Sequence, residues 1–188
     1  VCSSDLYGSG KSEFSEQKRA VKDKDLGPLI KTQMTRCIHC TRCVRFGEEV
    51  AGLREMGMAF RGEDSEIGTY IQGFLQSELS GNIIDLCPVG ALLNKPALYT
   101  GRSWEYQEHP TIGPHDAVGS HMFVHTRVTG KDRRVMRAVP RVCESINENW
   151  LSDRDRFGIH GLYHSTRITQ PRVKIHGAWV EVEWDSWL

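Results

Sequence analysis

Cys37, Cys40 and Cys43 are spaced two residues apart, and a fourth cysteine, Cys87, follows after 43 intervening residues with Pro88 directly behind it. No other feature restricts the fold so severely. Such tight spacing puts the first three thiols on one short loop. The remote fourth closes the site only if the intervening chain returns to it. A cubane [4Fe–4S] cluster presents four iron corners, each taking one thiolate, and a C-x2-C-x2-C run completed by Cys-Pro meets that demand. Pro88 after the fourth thiol fixes the local backbone and removes one donor. Zinc is the alternative, but zinc sites usually pair two short C-x2-C or H-x3-H units. A disulfide set fits least, because three thiols this close leave an odd partner. Cys37, Cys40, Cys43 and Cys87 are therefore the candidate metal ligands, and one [4Fe–4S] cluster is the candidate cofactor.

The neighbouring residues suit a negatively charged group. Arg36, Arg42 and Arg45 flank the triple, and guanidinium groups there would favour the reduced form of such a cluster. A solvated basic loop would read the same way. Ile38, Val44, Ile83, Ile84, Leu86 and Val89 offer an apolar cage that excludes water, or simply a core. His39 lies between two of the thiols, and pointing to solvent is the simpler expectation, since a four-cysteine site needs no histidine. With Arg36, Arg42, Arg45 and Pro88 around the four cysteines, the candidate site holds no catalytic residue.

Equal numbers of basic and acidic side chains, 24 of each, argue against a nucleic-acid partner, because counterion displacement needs an excess of positive charge. No apolar run approaches bilayer length, and no secretory signal is apparent. The six cysteines do not resemble a secreted disulfide framework, so metal-bound thiolates in a reducing compartment fit better. The chain does not begin with Met and stops at Asp185-Ser186-Trp187-Leu188; it reads as an internal piece of a longer protein. Residues 1–6 look like a translated sequencing-adapter end, so Cys2 is given no role.

An α+β organisation follows along the chain. Residues 7–30 form a polar connecting segment, expected to wrap a neighbour or stay irregular. Residues 31–100 form a small, irregular cluster domain. Within it a short helix is expected over 41–50, strands over 56–61 and 67–71, and a further helical turn over 89–93, with the Cys87-Pro88 step stopping any helix before it. Residues 101–188 read as mainly β, with hairpins at 121–129/133–139 and 172–175/178–184 and helical turns over 144–161. Gly8-Ser9-Gly10-Lys11-Ser12 resembles part of a phosphate loop but lacks the first glycine and a preceding strand. His121 with His125, and His160 with His164, are expected to be surface histidines. Cys143 is expected to be a small buried residue.

The runs Met34-Thr35-Arg36-Cys37-Ile38-His39-Cys40-Thr41-Arg42-Cys43-Val44-Arg45-Phe46 and Ser77-Glu78-Leu79-Ser80-Gly81-Asn82-Ile83-Ile84-Asp85-Leu86-Cys87-Pro88-Val89-Gly90-Ala91-Leu92 resemble the large iron–sulfur subunit of NADH:quinone oxidoreductase. This family comprises the G subunit of bacterial respiratory complex I and the 75 kDa subunit of the mitochondrial enzyme. Trp150 to Phe157 is similar too, and a looser likeness runs from about Tyr7 onward. The resemblance implies that the four cysteines relay electrons from the flavin side toward quinone. It implies that a full-length subunit holds a further [2Fe–2S] and a further [4Fe–4S] cluster, whose ligands are absent here. Residues 101–188 would begin a molybdopterin-oxidoreductase-like domain without cluster ligands, Asp116-Ala117-Val118-Gly119-Ser120 standing where some relatives have cysteines. Implied partners are other peripheral-arm subunits, including the flavin-binding one, with indirect membrane association on the cytoplasmic side of the bacterial inner membrane. The chain alone would lack NADH, flavin and quinone sites. The alternatives are the same module in an NAD-linked hydrogenase or formate dehydrogenase, or a zinc-stabilised structural domain.

Overall fold

A computed structural model describes residues 13–17, 19–70, 73–130 and 132–186. The chain is α+β, with short helices and four small antiparallel sheets among the described residues. Residues 1–6, the phosphate-loop-like run through Ser12, and Ile71 of the second expected strand lie outside the described residues.

The cysteine region is built on two short ladders. Strand β1 (Ile30–Thr32) pairs with β4 (Leu92–Asn94), so that Thr32 faces Leu92. Strand β2 (Met56–Ala59) pairs with β3 (Glu66–Thr69) around a 3-10 turn at Gly62–Asp64. Helix α1 (Arg42–Glu49) lies between them in sequence and buries Phe46. Helix α2 (Asn82–Leu86) buries Asn82 and Ile83 and ends at Cys87. Leu26, Ile30, Met34, Phe46, Met56, Ile67, Ile83 and Leu92 form one apolar core from these pieces. The described residues before β1 form no helix or strand but are fastened. Thr32 Oγ1 accepts Lys24 N–H at 2.9 Å and donates to the Lys24 carbonyl at 2.7 Å. Arg19 and Lys24 both meet Glu66, at 2.8 and 2.7 Å, and Arg19 also bonds the Glu63 carbonyl.

The second region is a meander of β5 (Gln107–Ile112), β6 (His121–Thr129) and β7 (Asp132–Pro140). A register shift interrupts β6 between His125 and Thr126. Met122, Ala138, Leu151 and Ile159 form its core. Helix α3 (Asp153–Gly158) packs beside β7 and is capped by Ser152 Oγ, which accepts Asp155 N–H at 3.3 Å. Strands β8 (Arg172–Ile175) and β9 (Ala178–Glu181) form a separate hairpin. His176 and Gly177 both have positive φ, 48° and 87°, which matches the twist of a two-residue hairpin turn.

Four expectations need correction. Residues 89–93 make no helical turn. Gly90 has φ 66° and the chain enters β4 at Leu92, because the Gln33 N–H, which bonds the Ala91 carbonyl at 2.8 Å, draws the chain toward β1. Strand β5 was not anticipated, since Pro110 interrupts its pattern; proline is tolerated because β5 is an edge strand. His125 is buried at 5% exposure rather than on the surface. Its Nδ1 accepts Arg137 Nε–H at 3.0 Å, and burial chiefly holds its pKa below the ordinary histidine value. Cys143 is only partly buried; its carbonyl closes a turn by accepting the N–H groups of Ile146, Asn147 and Glu148.

Candidate metal centre

Two non-glycine residues in left-handed conformation shape the cysteine loop. Cys37 ends the 3-10 turn Met34–Arg36, its N–H bonded to the Met34 carbonyl at 3.0 Å. His39 then takes φ 53° and Thr41 φ 59°, on either side of Cys40. Such conformations are uncommon for residues with a Cβ and cost energy that the surroundings must offset. They reverse the chain twice within five residues and allow three successive thiols to face one space. Cys43 follows on the first turn of α1. Nothing in the sequence marks His39 or Thr41 for this geometry, because left-handed conformation has no local signal where glycine is absent.

Cys87 arrives from the other side. It is the C-cap of α2, with N–H bonded to the Ile83 carbonyl at 3.2 Å and an extended backbone, as a residue before proline prefers. Pro88 itself is exposed. Gly90 then turns the chain through a left-handed step, and Ala91 N–H reaches back to Cys87 Sγ at 3.3 Å.

All four thiols line one cavity holding ≈390 Å³ of empty space, part of it open to solvent. Met34, Ile67, Ala91 and Leu92 wall it together with Ile38 and Val89. Of the six residues expected as a cage, only Ile38 and Val89 line the cavity. Val44, Ile83, Ile84 and Leu86 belong to the core behind the cavity, while Ile38 is 60% exposed at its rim. Ile67 comes to the wall from a strand far from every cysteine in sequence, while Met34 and Leu92 flank the ligand segments and turn inward on the 3-10 turn and on β4. Among the described residues, no three His, Cys, Asp or Glu side chains converge as the ligands of a single metal ion do.

Burial pushes the Cys43 thiol up to about 11, the neighbouring Cys37 and Cys40 adding to the rise and the Val44 N–H opposing it. Binding a metal there releases a proton, because the ligand must be thiolate. The three arginines differ in position. Arg42 lines the cavity. The Arg36 guanidinium lies over the Cys87–Ala91 turn, 3.6 Å from where a Cβ on Gly90 would stand. Arg45 is exposed and does not line the cavity. Among the described residues none of the three meets a carboxylate in an ion pair.

The family described as NADH-quinone oxidoreductase subunit 3, ferredoxin-like domain, matches residues 27–93. The one described as NADH-ubiquinone oxidoreductase NDSU1/NuoG-like, 4Fe-4S domain, matches residues 107–160. The G subunit of NADH-quinone oxidoreductase from Rickettsia bellii is 50% identical over 180 residues, 96% of this chain. The NADH-ubiquinone oxidoreductase 75 kDa subunit of Reclinomonas americana is 51% identical over 181 residues, again 96% of this chain. The chain belongs to this family of large complex I subunits. It spans about a quarter, 26%, of the length of these curated relatives. Within the family's second matched segment, 107–160, the chain has one cysteine, Cys143. Four cysteines, Cys37, Cys40, Cys43 and Cys87, lie in the first matched segment. No helix among the described residues is long and apolar enough to cross a membrane.

Proposed function

We propose that Cys37, Cys40, Cys43 and Cys87 hold one [4Fe–4S] cluster, and that the chain relays electrons through it as part of NADH:quinone oxidoreductase. The observation that carries this reading is the single cavity lined by all four thiols, three from one loop and the fourth from beyond 43 intervening residues. Such a cavity suits a cubane, whose thiolates attach at separate corners. A lone zinc ion would draw its four sulfurs to about 2.3 Å from one point, so iron and sulfide content separate the two readings.

When bound, the cluster supplies one-electron redox chemistry. This chain's residues hold it, shield it and set its charge environment. Met34, Ile67 and Leu92 keep water from the inner wall. Ala91 N–H, 3.3 Å from Cys87 Sγ, stabilises charge on that sulfur, as hydrogen bonds to cluster sulfurs do. Arg36 and Arg42 add positive charge at the rim, which favours the reduced state. Arg45 contributes at longer range, and Pro88 fixes the turn after the fourth ligand.

The remaining roles follow from family membership. Electrons would enter from NADH by way of a flavin on a neighbouring peripheral-arm subunit and leave toward quinone. Association with the cytoplasmic face of a bacterial inner membrane would be indirect, through the complex. A full-length subunit would carry a [2Fe–2S] and another [4Fe–4S] cluster. Residues 31–100 would be the cluster domain, with 101–188 opening a molybdopterin-oxidoreductase-like domain.

Anaerobic reconstitution with iron and sulfide, followed by metal analysis and EPR before and after dithionite, tests the reading. About four irons per chain and a reduced [4Fe–4S] signal are expected. Tightly bound zinc without sulfide or signal would replace the relay with a structural metal.

A further inference from the structure

Helix α2, which delivers Cys87, has five residues, Asn82–Leu86. A helix that short does not hold itself together in water and takes its geometry from its packing. One side rests on the cysteine-region core through Ile83. The other is gripped by the second region. Asp153 Oδ2 accepts Ser80 Oγ–H at 2.5 Å and Asp153 Oδ1 accepts Gly81 N–H at 2.6 Å, both at the start of the helix. Arg156 Nη2 meets Asp85 Oδ2 near the end of the helix at 2.6 Å and Asn82 Oδ1 at its start at 3.1 Å. Asn82 also exchanges bonds with Leu151, each 2.9 Å.

We propose that the second region acts as a clamp on the fourth ligand, with Arg156 and Asp153 as positioning residues that set the placement of Cys87 through α2. The inference rests on Cys87 being a cluster ligand. Arg156 is 1% exposed. A guanidinium is taken out of water at considerable cost unless its partners are well placed, and both partners here lie on α2. Gly81 shows how closely the clamp is seated. A Cβ there would stand 2.6 Å from Arg156 Cδ and from Asp153 Oδ1, so only glycine admits the two side chains. Asp85 is two residues from Cys87. A change in the Arg156–Asp85 bond therefore moves the end of the helix that carries the thiol. Among the described residues no hydrogen bond or ion pair ties Cys37, Cys40 or Cys43 to the second region, which meets α1 through the Trp150–Phe46 ring contact; their loop is anchored from Asp23, whose Oδ1 accepts Met34 N–H at 2.9 Å.

The test compares the reconstituted full chain with its variants Arg156→Met, Arg156→Lys and Asp153→Asn. The readouts are the rate of iron loss to a chelator and the EPR g-values of the reduced cluster. Cys143→Ser serves as the control outside the clamp. Arg156→Met should release iron at least tenfold faster and shift the g-values. Arg156→Lys, which keeps the charge but loses the fork, should fall between. Cys143→Ser should match the parent. If Arg156→Met does not fold, Asp153→Asn decides: it keeps one acceptor, and severalfold faster iron loss is expected. Folded variants with parental rates and g-values overturn the clamp while leaving the cluster intact. A parent chain that takes up no iron, or one whose Cys87→Ala variant keeps an unchanged cluster, overturns the ligand reading and the clamp with it.

Discussion

The two regions solve the problem of order in opposite ways. Residues 27–93 contain two-stranded ladders of three or four pairs and helices of eight and five residues. Residues 107–160 are dominated by β6 and β7, nine residues each, joined in one sheet with β5. Backbone ladders hold the second region in register. The first has a larger apolar core but surrounds a cavity, with left-handed residues between its thiols. Where the two regions meet, the chain passes from one core to the other in a single step. Trp150 packs on Phe46 of α1 at 4.9 Å between ring centroids, while the next residue, Leu151, is buried in the sheet core. The two cores thus adjoin at Trp150 and Leu151.

Cysteine substitution gives the sharpest contrast. Cys87→Ala should abolish cluster uptake, read as iron and sulfide per chain, whereas Cys143→Ala should leave both unchanged. Equal losses would mean that the second region also contributes a ligand. Removing the metal is the next largest perturbation. Amide exchange in the apo chain should accelerate strongly across 34–46 and 82–92, since ligation and folding are coupled, while the central amides of β6 and β7 keep their protection. Uniform loss of protection would show one cooperative unit rather than two unlike regions.

The junction itself has a smaller, measurable strength. Asn82→Ala removes both bonds to Leu151 and one acceptor for Arg156. Buried groups left unsatisfied cost about 1–3 kcal/mol each, so denaturant unfolding should show a loss of about 2–4 kcal/mol. A loss under about 0.5 kcal/mol, the range of ordinary surface changes, would mean that the regions are held together elsewhere. The smallest effect concerns the leading segment. The hydrogen bond from Lys24, with the charges of Lys24 and Arg19, holds the Glu66 carboxyl below its ordinary value of 4.5. A lowered folded-state pKa contributes stability that is present above the unfolded value and is lost as pH falls through the lowered one. Amides of β2 and β3 should therefore lose protection at acid pH, below the ordinary glutamate range, and Glu66→Gln should flatten that acid limb. An unchanged limb would show that these ion pairs do not hold the hairpin.

Much of the first region was legible because its signals are local. The cysteine triple, helix α1 and the β2–β3 hairpin each lie within one short window, and hydrophobic period or spacing marks them. The hairpin loops at Gly130 and His176-Gly177 were equally visible, because turn residues mark them. Strand β4 was not, since Leu92 and Leu93 suit either a helix or a strand, and only the pairing with β1 decides between them. His125 looked like half of a surface pair because its burial comes from its surroundings, with Tyr106 at 5.8 Å between ring centroids and Arg137 from β7.

Residue order alone specifies which atoms are available: four thiols, three held on one loop by covalent spacing, and a proline that shapes the turn after the fourth. Those constraints act over a few residues, where backbone sterics dominate. It took the folded chain to bring Cys87 to the triple, to wall the space between them with Met34, Ile67 and Leu92, and to carry Arg156 to Asp85 across 71 residues of chain. Contacts of that kind arise because burial and hydrogen-bond satisfaction are settled over the whole chain, and no local pattern of residues records which distant partner completes them.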